Sequence, residues 1–240
     1  MRFFIELSYK GTNYHGWQIQ SNANSVQAEI NNVLSTLLNT KIEVTGAGRT
    51  DTGVHARQMF AHFDCQKDLD GLQLVSQLNG FLPKDITIHN IKVVADDANC
   101  RFNPLSRTYQ YHIIQQKNSF NTTAYLLYKN LDIDAMNLAC KHLLGKQDFT
   151  SFSKVNTQTF TNNCNVMLAN WEQTEGELIF TIKADRFLRN MVRAIVGTLL
   201  AVGEGKIKPE QVKEIIAKKD RGEAGASVPA HALFLNNIEY

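Results

Sequence analysis

Gly46-Ala47-Gly48-Arg49-Thr50-Asp51-Thr52-Gly53-Val54-His55-Ala56 holds three glycines, an arginine, two threonines and one aspartate, with no aliphatic run among them. Gly46, Gly48 and Gly53 permit backbone angles closed to other residues, or the close approach of a ligand. A tight turn carrying Asp51 between polar neighbours suits the display of a carboxylate rather than the filling of a core. Local chemistry alone leaves two readings. One is a surface turn in which Asp51 caps a neighbouring amide; the other is a site.

The segments on either side set the fold class. Phe3 to Tyr9 alternates and is β-prone, which predicts a strand. Val26, Ile30, Val33, Leu34, Leu37 and Leu38 recur at helical spacing behind Asn24-Ser25, a natural N-cap pair. Ile42 to Thr45 reads as a strand feeding the glycine-rich turn. A second helix is expected near Leu69 to Leu78, ending before Leu82-Pro83. Ile86 to Val94 and Thr108 to Ile114 read as strands.

The second half resembles this order. Asp134 to Leu144 is predicted helical, with Gly145 as its stop. Cys164 to Trp171 and Leu178 to Ala184 make a hairpin across residues 174–177. A long helix is expected from Phe187 to Val202, and Pro209 opens another through Ile215-Ile216. Ala232 to Ile238 closes the chain as a strand. Strands and helices mix without regular βαβ alternation, so the class is α+β with a mostly antiparallel sheet. With no low-complexity linker, the halves are expected to share one sheet or pack tightly. They divide at residues 1–103 and 104–240.

In the long helix, Phe187, Leu188, Met191, Val192, Ile195, Val196, Leu199 and Leu200 form a broad apolar face. Arg186, Arg189 and Arg193, spaced i, i+3 and i+7, would share the opposite face. A solvated face on a core helix accounts for them. Three arginines and no lysine also suit bidentate partners such as phosphate or carboxylate.

Composition is that of an ordinary globular chain: 240 residues, 43% hydrophobic and 20% charged. No apolar run approaches the roughly 20 residues needed to span a bilayer. Residues 1–6 are apolar too briefly for a signal peptide, so a cytoplasmic protein is expected. Cys65, Cys100, Cys140 and Cys164 form no CxxC pair, and the seven histidines form no HExxH, so nothing asks for a metal. Net charge is only +2. Its distribution is uneven: residues 98–131 contain no Asp or Glu but hold Arg101, Arg107, Lys117 and Lys129. Phe102, Tyr109, Tyr111, Phe120, Tyr125 and Tyr128 are interleaved with them. Basic residues among aromatics suit phosphate contact and base stacking, although a charge-poor sheet would look similar.

Asp51-Thr52-Gly53 is the tripeptide of aspartic proteases. Those enzymes pair two such aspartates; this chain has one copy, preceded by polar Arg49-Thr50. A phosphate-cradling loop is disfavoured, since GxxxxGK[ST] is missing and a central acid repels phosphate. A lone nucleophilic or electrostatic aspartate remains, and it needs a cation to stay ionised once desolvated.

GRTDTGVHA closely resembles the GRTDxGVHA signature of the tRNA pseudouridine synthase A (TruA-type) family. Residues 9–18 (YKGTNYHGWQ) resemble that family's YDGTxYxGWQ opening, and Leu82 to Ile86 its LPxDI. Arg101-Phe102 with residues 107–111 (RTYQY) resemble RFxAxxRxYxY, and residues 148–152 match DFTSF. Residues 187–199 match FLxxMVRxIVGTL. Lys10 stands where Asp is usual and Thr52 where Ala is usual. Residues 226–235 are a looser TAPAxGLxL, with Ala232 for Gly. The resemblance covers nearly the whole chain, in order.

The resemblance implies an α+β pseudouridine synthase fold, with two ferredoxin-like halves sharing one antiparallel sheet and flanked by helices. It implies isomerisation of uridine to its C-glycoside in the tRNA anticodon arm, at positions 38 to 40, without cofactor. It implies homodimers with tRNA lying across both subunits. By resemblance Asp51 is the nucleophile, and its attack on C1′, on C6 or through a glycal route stays open. Arg193 is the arginine paired with it. Tyr109 stacks on the target base and can move the C5 proton. Arg49 enters the helix where the base leaves, and Leu233 packs on the base. A related synthase acting at another RNA site, or an RNA-binding module without turnover, are the other readings of the same residues.

Overall fold

The computed structural model describes residues 1–155 and 160–240. In chain order its elements are β1 (Arg2–Tyr9), α1 (Val26–Leu38), β2 (Thr45–Gly46), β3 (His55–Asp64), α2 (Gly71–Phe81) and β4 (Ile86–Val94). Then come β5 (Ser106–Ile114), β6 (Tyr125–Leu126), α3 (Ile133–Cys140), β7 (Gly145–Asp148), β8 (Asn163–Thr174) and β9 (Glu177–Ala184). α4 (Met191–Gly203), α5 (Gln211–Lys218) and β10 (Leu233–Glu239) follow. The chain forms two compact units, Met1–Leu105 with Phe234–Tyr240, and Ser106–Leu233. The mixed, mostly antiparallel architecture expected from the sequence is present in each.

In the first unit β1 is central, antiparallel to both β3 and β4. Short β2 pairs antiparallel with β3, and β10 runs parallel to it through Phe234 and Leu235. Phe3, Ile5, Leu7, Met59, Ala61 and Phe63 fill the core. α1 buries Val26, Ile30, Leu34 and Leu38, one stripe at i, i+4 spacing. Its N-terminus is capped by Ser25, whose Oγ accepts the Ala28 N–H at 3.2 Å. α2 is capped in the same way by Asp70.

In the second unit the order is β7–β8–β9–β5, all antiparallel, with β6 parallel beside β5. The β8–β9 turn needs Gly176 at φ +81°. α3 lies against α4 so closely that a Cβ on Gly203 would meet Met136 Sδ at 2.4 Å.

Several elements depart from expectation. Ile42 to Thr45 is no strand beyond Thr45–Gly46. The polar side chains of α1 take its backbone groups instead: Ser35 Oγ accepts the Ile42 N–H, Asn31 Oδ1 accepts the Val44 N–H, and Gln27 Nε2 donates to Val44 C=O. β3, the longest strand of the first unit, has no clear signature in the sequence, because His55, Arg57, Gln58 and His62 interrupt its apolar alternation. α3 ends at Cys140 and passes into a 3₁₀ turn, Lys141–Leu143.

The helix expected from Phe187 starts at Met191. Arg189 C=O accepts the Lys154 N–H at 3.0 Å, and Asn190 is left-handed at φ 66°. Asp185 Oδ1 meanwhile accepts the backbone N–H groups of Asn165 and Arg186. Arg186 and Arg189 therefore precede the helix, and the expected three-arginine stripe does not form; Arg193 alone of the three lies on α4.

Candidate active site

Asp51 is half-buried on the loop joining β2 to β3. Its C=O accepts the Val54 N–H at 3.1 Å, and Gly53 takes φ +80° at the third position of that turn. Both flanks of Asp51 are held by one stretch, residues 9–17. Tyr9 Oη and Thr50 Oγ1 are 2.9 Å apart. Thr50 C=O accepts the Trp17 N–H at 3.4 Å, and Tyr14 C=O accepts the Gly53 N–H at 3.3 Å. The Gly11 N–H donates to His55 Nδ1 at 2.9 Å. An Nδ1 that accepts a backbone proton carries none, so this is the neutral ring with its proton on Nε2. Phe234 stacks on the same ring at 4.7 Å.

The two strands of this clamp touch backbone to backbone. A Cβ on Gly11 would sit 2.0 Å from Val54 O, and one on Gly16 2.3 Å from Thr50 O. Gly46 lies under the indole of Trp17, 2.3 Å from where its Cβ would be. Arg49 is exposed on the outer side of the loop.

In the second unit Tyr109 sits on β5 opposite Ile182 of β9. It is half-buried, and Phe187 packs edge-on against its ring, 5.1 Å between centroids at 86°. Tyr111, two residues along and on the same face, is fully buried. Its hydroxyl donates to Pro229 C=O at 3.0 Å. Burial pushes the Tyr111 phenol up, Tyr125 adds to this, and the charge of Arg193 opposes it.

Arg193, in the first turn of α4, is half-buried. Its Nε donates to Val228 C=O at 2.7 Å, and its own C=O accepts the Val228 N–H at 3.3 Å. Residues 225–229 are strapped to α4 by further contacts. The Gly225 N–H donates to Thr198 Oγ1 at 2.8 Å, and Asn190 Nδ2 donates to Ser227 Oγ at 2.6 Å. A Cβ on Gly197 would meet Ala226 O at 1.8 Å. Leu233, where β10 begins, is buried.

The structure thus gathers Arg193, Tyr111, Val228 and Pro229 in one unit, and Asp51 with residues 9–17 in the other. In the sequence the strap shows only through residues 226–229 of the loose motif 226–235; the further signal is the pair Gly197 and Gly225. Of the basic and aromatic residues between 98 and 131, Tyr111 is buried and so cannot stack on a base. Lys129 is paired with Glu204 at 2.8 Å, whereas Phe102, Phe120 and Tyr128 are exposed. Among the described residues, no group of three or more His, Cys, Asp or Glu could hold a metal ion, and no helix is long and apolar enough to cross a membrane.

Each unit thus displays a half-buried charged group, a carboxylate on a glycine-rich loop in the first and a guanidinium at a helix start in the second. The family described as tRNA pseudouridine synthase matches residues 7–103 and 139–240. A tRNA pseudouridine synthase A of Bacteroides thetaiotaomicron is 51% identical over 243 residues, covering 100% of this chain and 90% of the relative. That of Parabacteroides distasonis is 50% identical, covering 100% and 96%. That of Francisella tularensis subsp. novicida is 40% identical, covering 99% and 93%. The chain belongs to the tRNA pseudouridine synthase family.

Proposed function

We propose that this chain isomerises uridine to pseudouridine at positions 38 to 40 of the tRNA anticodon arm, with Asp51 as nucleophile. The N1–C1′ bond breaks, the base turns, and C5 joins C1′. C5 loses its proton and N1 gains one, so the reaction is an isomerisation without net redox. Arg193 is the guanidinium that favours the ionised carboxylate. Tyr109 is the ring on which the target base stacks. Arg49 takes the space the base vacates and contacts phosphate, and Leu233 packs on the base. The enzyme works in the cytoplasm as a homodimer that holds tRNA across both subunits.

The observation that carries this reading is the clamping of both flanks of Asp51. A mere capping aspartate has no need of a loop fixed from Thr50 to His55 by a second backbone at van der Waals limits. The test is a pseudouridine-sensitive readout on tRNA transcripts with single uridines at each anticodon-arm position. Isomerisation at positions 38 to 40 is expected, with affinity falling steeply as salt rises and no reaction of free UMP. Asp51→Asn should lower turnover by about 10³-fold or more while tRNA affinity is kept. Modification confined to the T-arm would select a related synthase of another site. An active Asp51→Asn would remove the nucleophile.

A further inference from the structure

Three stretches resembling family motifs meet at one point, and the third has no role in the chemistry above. Each of the three oxygens of Asp85, from Leu82-Pro83-Lys84-Asp85-Ile86, accepts a hydrogen bond from residues 10–14. Its Oδ1 accepts the Tyr14 hydroxyl at 2.6 Å, and its Oδ2 accepts Asn13 Nδ2 at 3.1 Å. Its backbone C=O accepts the Lys10 N–H at 2.8 Å. Tyr14 is buried, and its own C=O is the acceptor for Gly53 N–H, two residues beyond Asp51. Burial, then the bond to Asp85, pushes the Tyr14 phenol upward, so it remains a donor throughout the working range of pH.

We propose that Asp85 and Tyr14 are positioning residues for the reaction: the bond between them fixes the stretch that in turn fixes the Asp51 loop. The proposal rests on Asp51 being the nucleophile. The carboxylate anchors the outer side of residues 10–14, and Tyr14 passes that anchorage through its backbone to Gly53. Gly11 and Gly16 allow contact so close that any slack at Tyr14 is transmitted to the loop rather than absorbed by side chains. A charge-assisted O–H···O⁻ bond of this length is among the stronger hydrogen bonds a protein makes. Loss of the anchor displaces the carboxylate while leaving the side chains of Arg49, Tyr109 and Arg193 unaltered.

The experiment compares Tyr14→Phe, Asp85→Ala, Asp85→Asn and Asp51→Ala with the wild type. It measures single-turnover rate with enzyme in excess over tRNA transcript, tRNA Kd and thermal unfolding. A 1 Å misplacement can cost about 10²-fold, so Tyr14→Phe and Asp85→Ala should lower the single-turnover rate about 10- to 100-fold with Kd within about twofold. Asp85→Asn keeps an oxygen for the Tyr14 hydroxyl and should recover most of the rate. If Asp85→Ala does not fold, Tyr14→Phe decides: a rate within about twofold of wild type overturns the proposal. Equal losses in rate and in folded fraction also overturn it, since they describe a purely structural bond. An active Asp51→Ala would defeat the nucleophile reading itself. An inactive Asp51→Ala beside a full-speed Tyr14→Phe would defeat this inference alone.

Discussion

The loop of Asp51 and the strap behind Arg193 are both irregular segments held at backbone contact by glycine, yet they are held by different partners. In the first unit one loop is clamped by another loop, residues 9–17, through carbonyls, a tyrosine hydroxyl and a histidine ring. In the second, residues 225–229 are laid along a regular helix, α4, and Arg193 both grips the strap and is aimed by it. A helix is rigid on its own account, so one strap suffices to orient one side chain. A loop has no internal ladder. Its order must be borrowed, and the lender must itself be anchored, which is why Asp85 enters.

Glycine replacement breaks the comparison most directly. Gly16→Ala adds a Cβ 2.3 Å from Thr50 O at a residue with φ +93°. Overpacking costs about 1–3 kcal/mol and the disallowed backbone a similar amount, so roughly 4 kcal/mol of stability should be lost. Gly197→Ala adds one 1.8 Å from Ala226 O, but on a helix that favours alanine by about 1 kcal/mol, so the net loss should be nearer 2 kcal/mol. Urea titration of both variants measures this order. A smaller loss for Gly16→Ala than for Gly197→Ala would mean that the loop clamp yields more readily than the helical strap.

The same contrast governs what the sequence could reveal. Helical spacing located α1, which buries one stripe, and alternation or β-branched content located β4, β5 and the β8–β9 hairpin, whose second strand buries every other residue. It failed where a side chain replaced a backbone partner. Ile42 to Val44 looked like a strand, but Ser35, Asn31 and Gln27 satisfy its amides. Phe187 to Asn190 continues the apolar face of α4, but the Lys154 amide takes the Arg189 carbonyl that a helix would use, and Asn190 is left-handed. The motif around Asp51 was legible as a site because its residue types are unsuited to a core. Its dependence on residues 9–17 and Asp85 is not, since hydrogen bonds between segments about 30 to 75 residues apart leave no period. The return of Phe234–Tyr240 to the first unit, beside β3, is equally silent in local pattern.

Tyr111→Phe sharpens the comparison on the helical side. The ring stays and fills the same space, while Pro229 C=O loses its donor. The expected cost is about 1 kcal/mol of stability, the usual net worth of such a bond. A near-zero cost would show that residues 225–228 alone hold the strap. Measured turnover should fall little, because Tyr111 is fully buried and its hydroxyl serves the strap.

A smaller effect is expected on the loop side, at His62 of β3, opposite Thr45 of β2. Its Nδ1 lies 3.1 Å from Cys100 Sγ, whose thiol donates to Thr45 C=O at 3.0 Å. Burial first, then the charge of Arg2, holds His62 below its ordinary pKa, with Asp64 opposing. The unfolded chain therefore takes up this proton before the folded one does. The His62 contribution is complete above about pH 6.5 and is lost as pH falls through the folded value. Urea midpoints of wild type and His62→Gln, compared between pH 7.5 and 5, should converge on acidification. Parallel curves would mean that His62 titrates alike in both states.

Gly48 tests the comparison where the smallest effect on the fold is expected. The three glycines flanking Asp51 have three different surroundings. Gly46 is flattened under Trp17, and Gly53 needs its positive φ. Gly48 has neither constraint: no atom lies within 4 Å of the position its Cβ would take, and its φ is not in the left-handed region. Alanine there creates no clash and removes some freedom from the unfolded chain, worth about 0.4–1 kcal/mol in favour of the variant where the backbone is compatible. Gly48→Ala should thus unfold at or slightly above the wild-type temperature. Gly48 precedes exposed Arg49, on the outer face of the loop that the clamp leaves open to solvent. If glycine is required at 48, the requirement comes from RNA approaching the backbone, and the variant should weaken tRNA Kd while its stability is unchanged. A lowered unfolding temperature would instead place Gly48 inside the clamp with Gly11 and Gly16, and the division between a loop held from one side and left open on the other would fail.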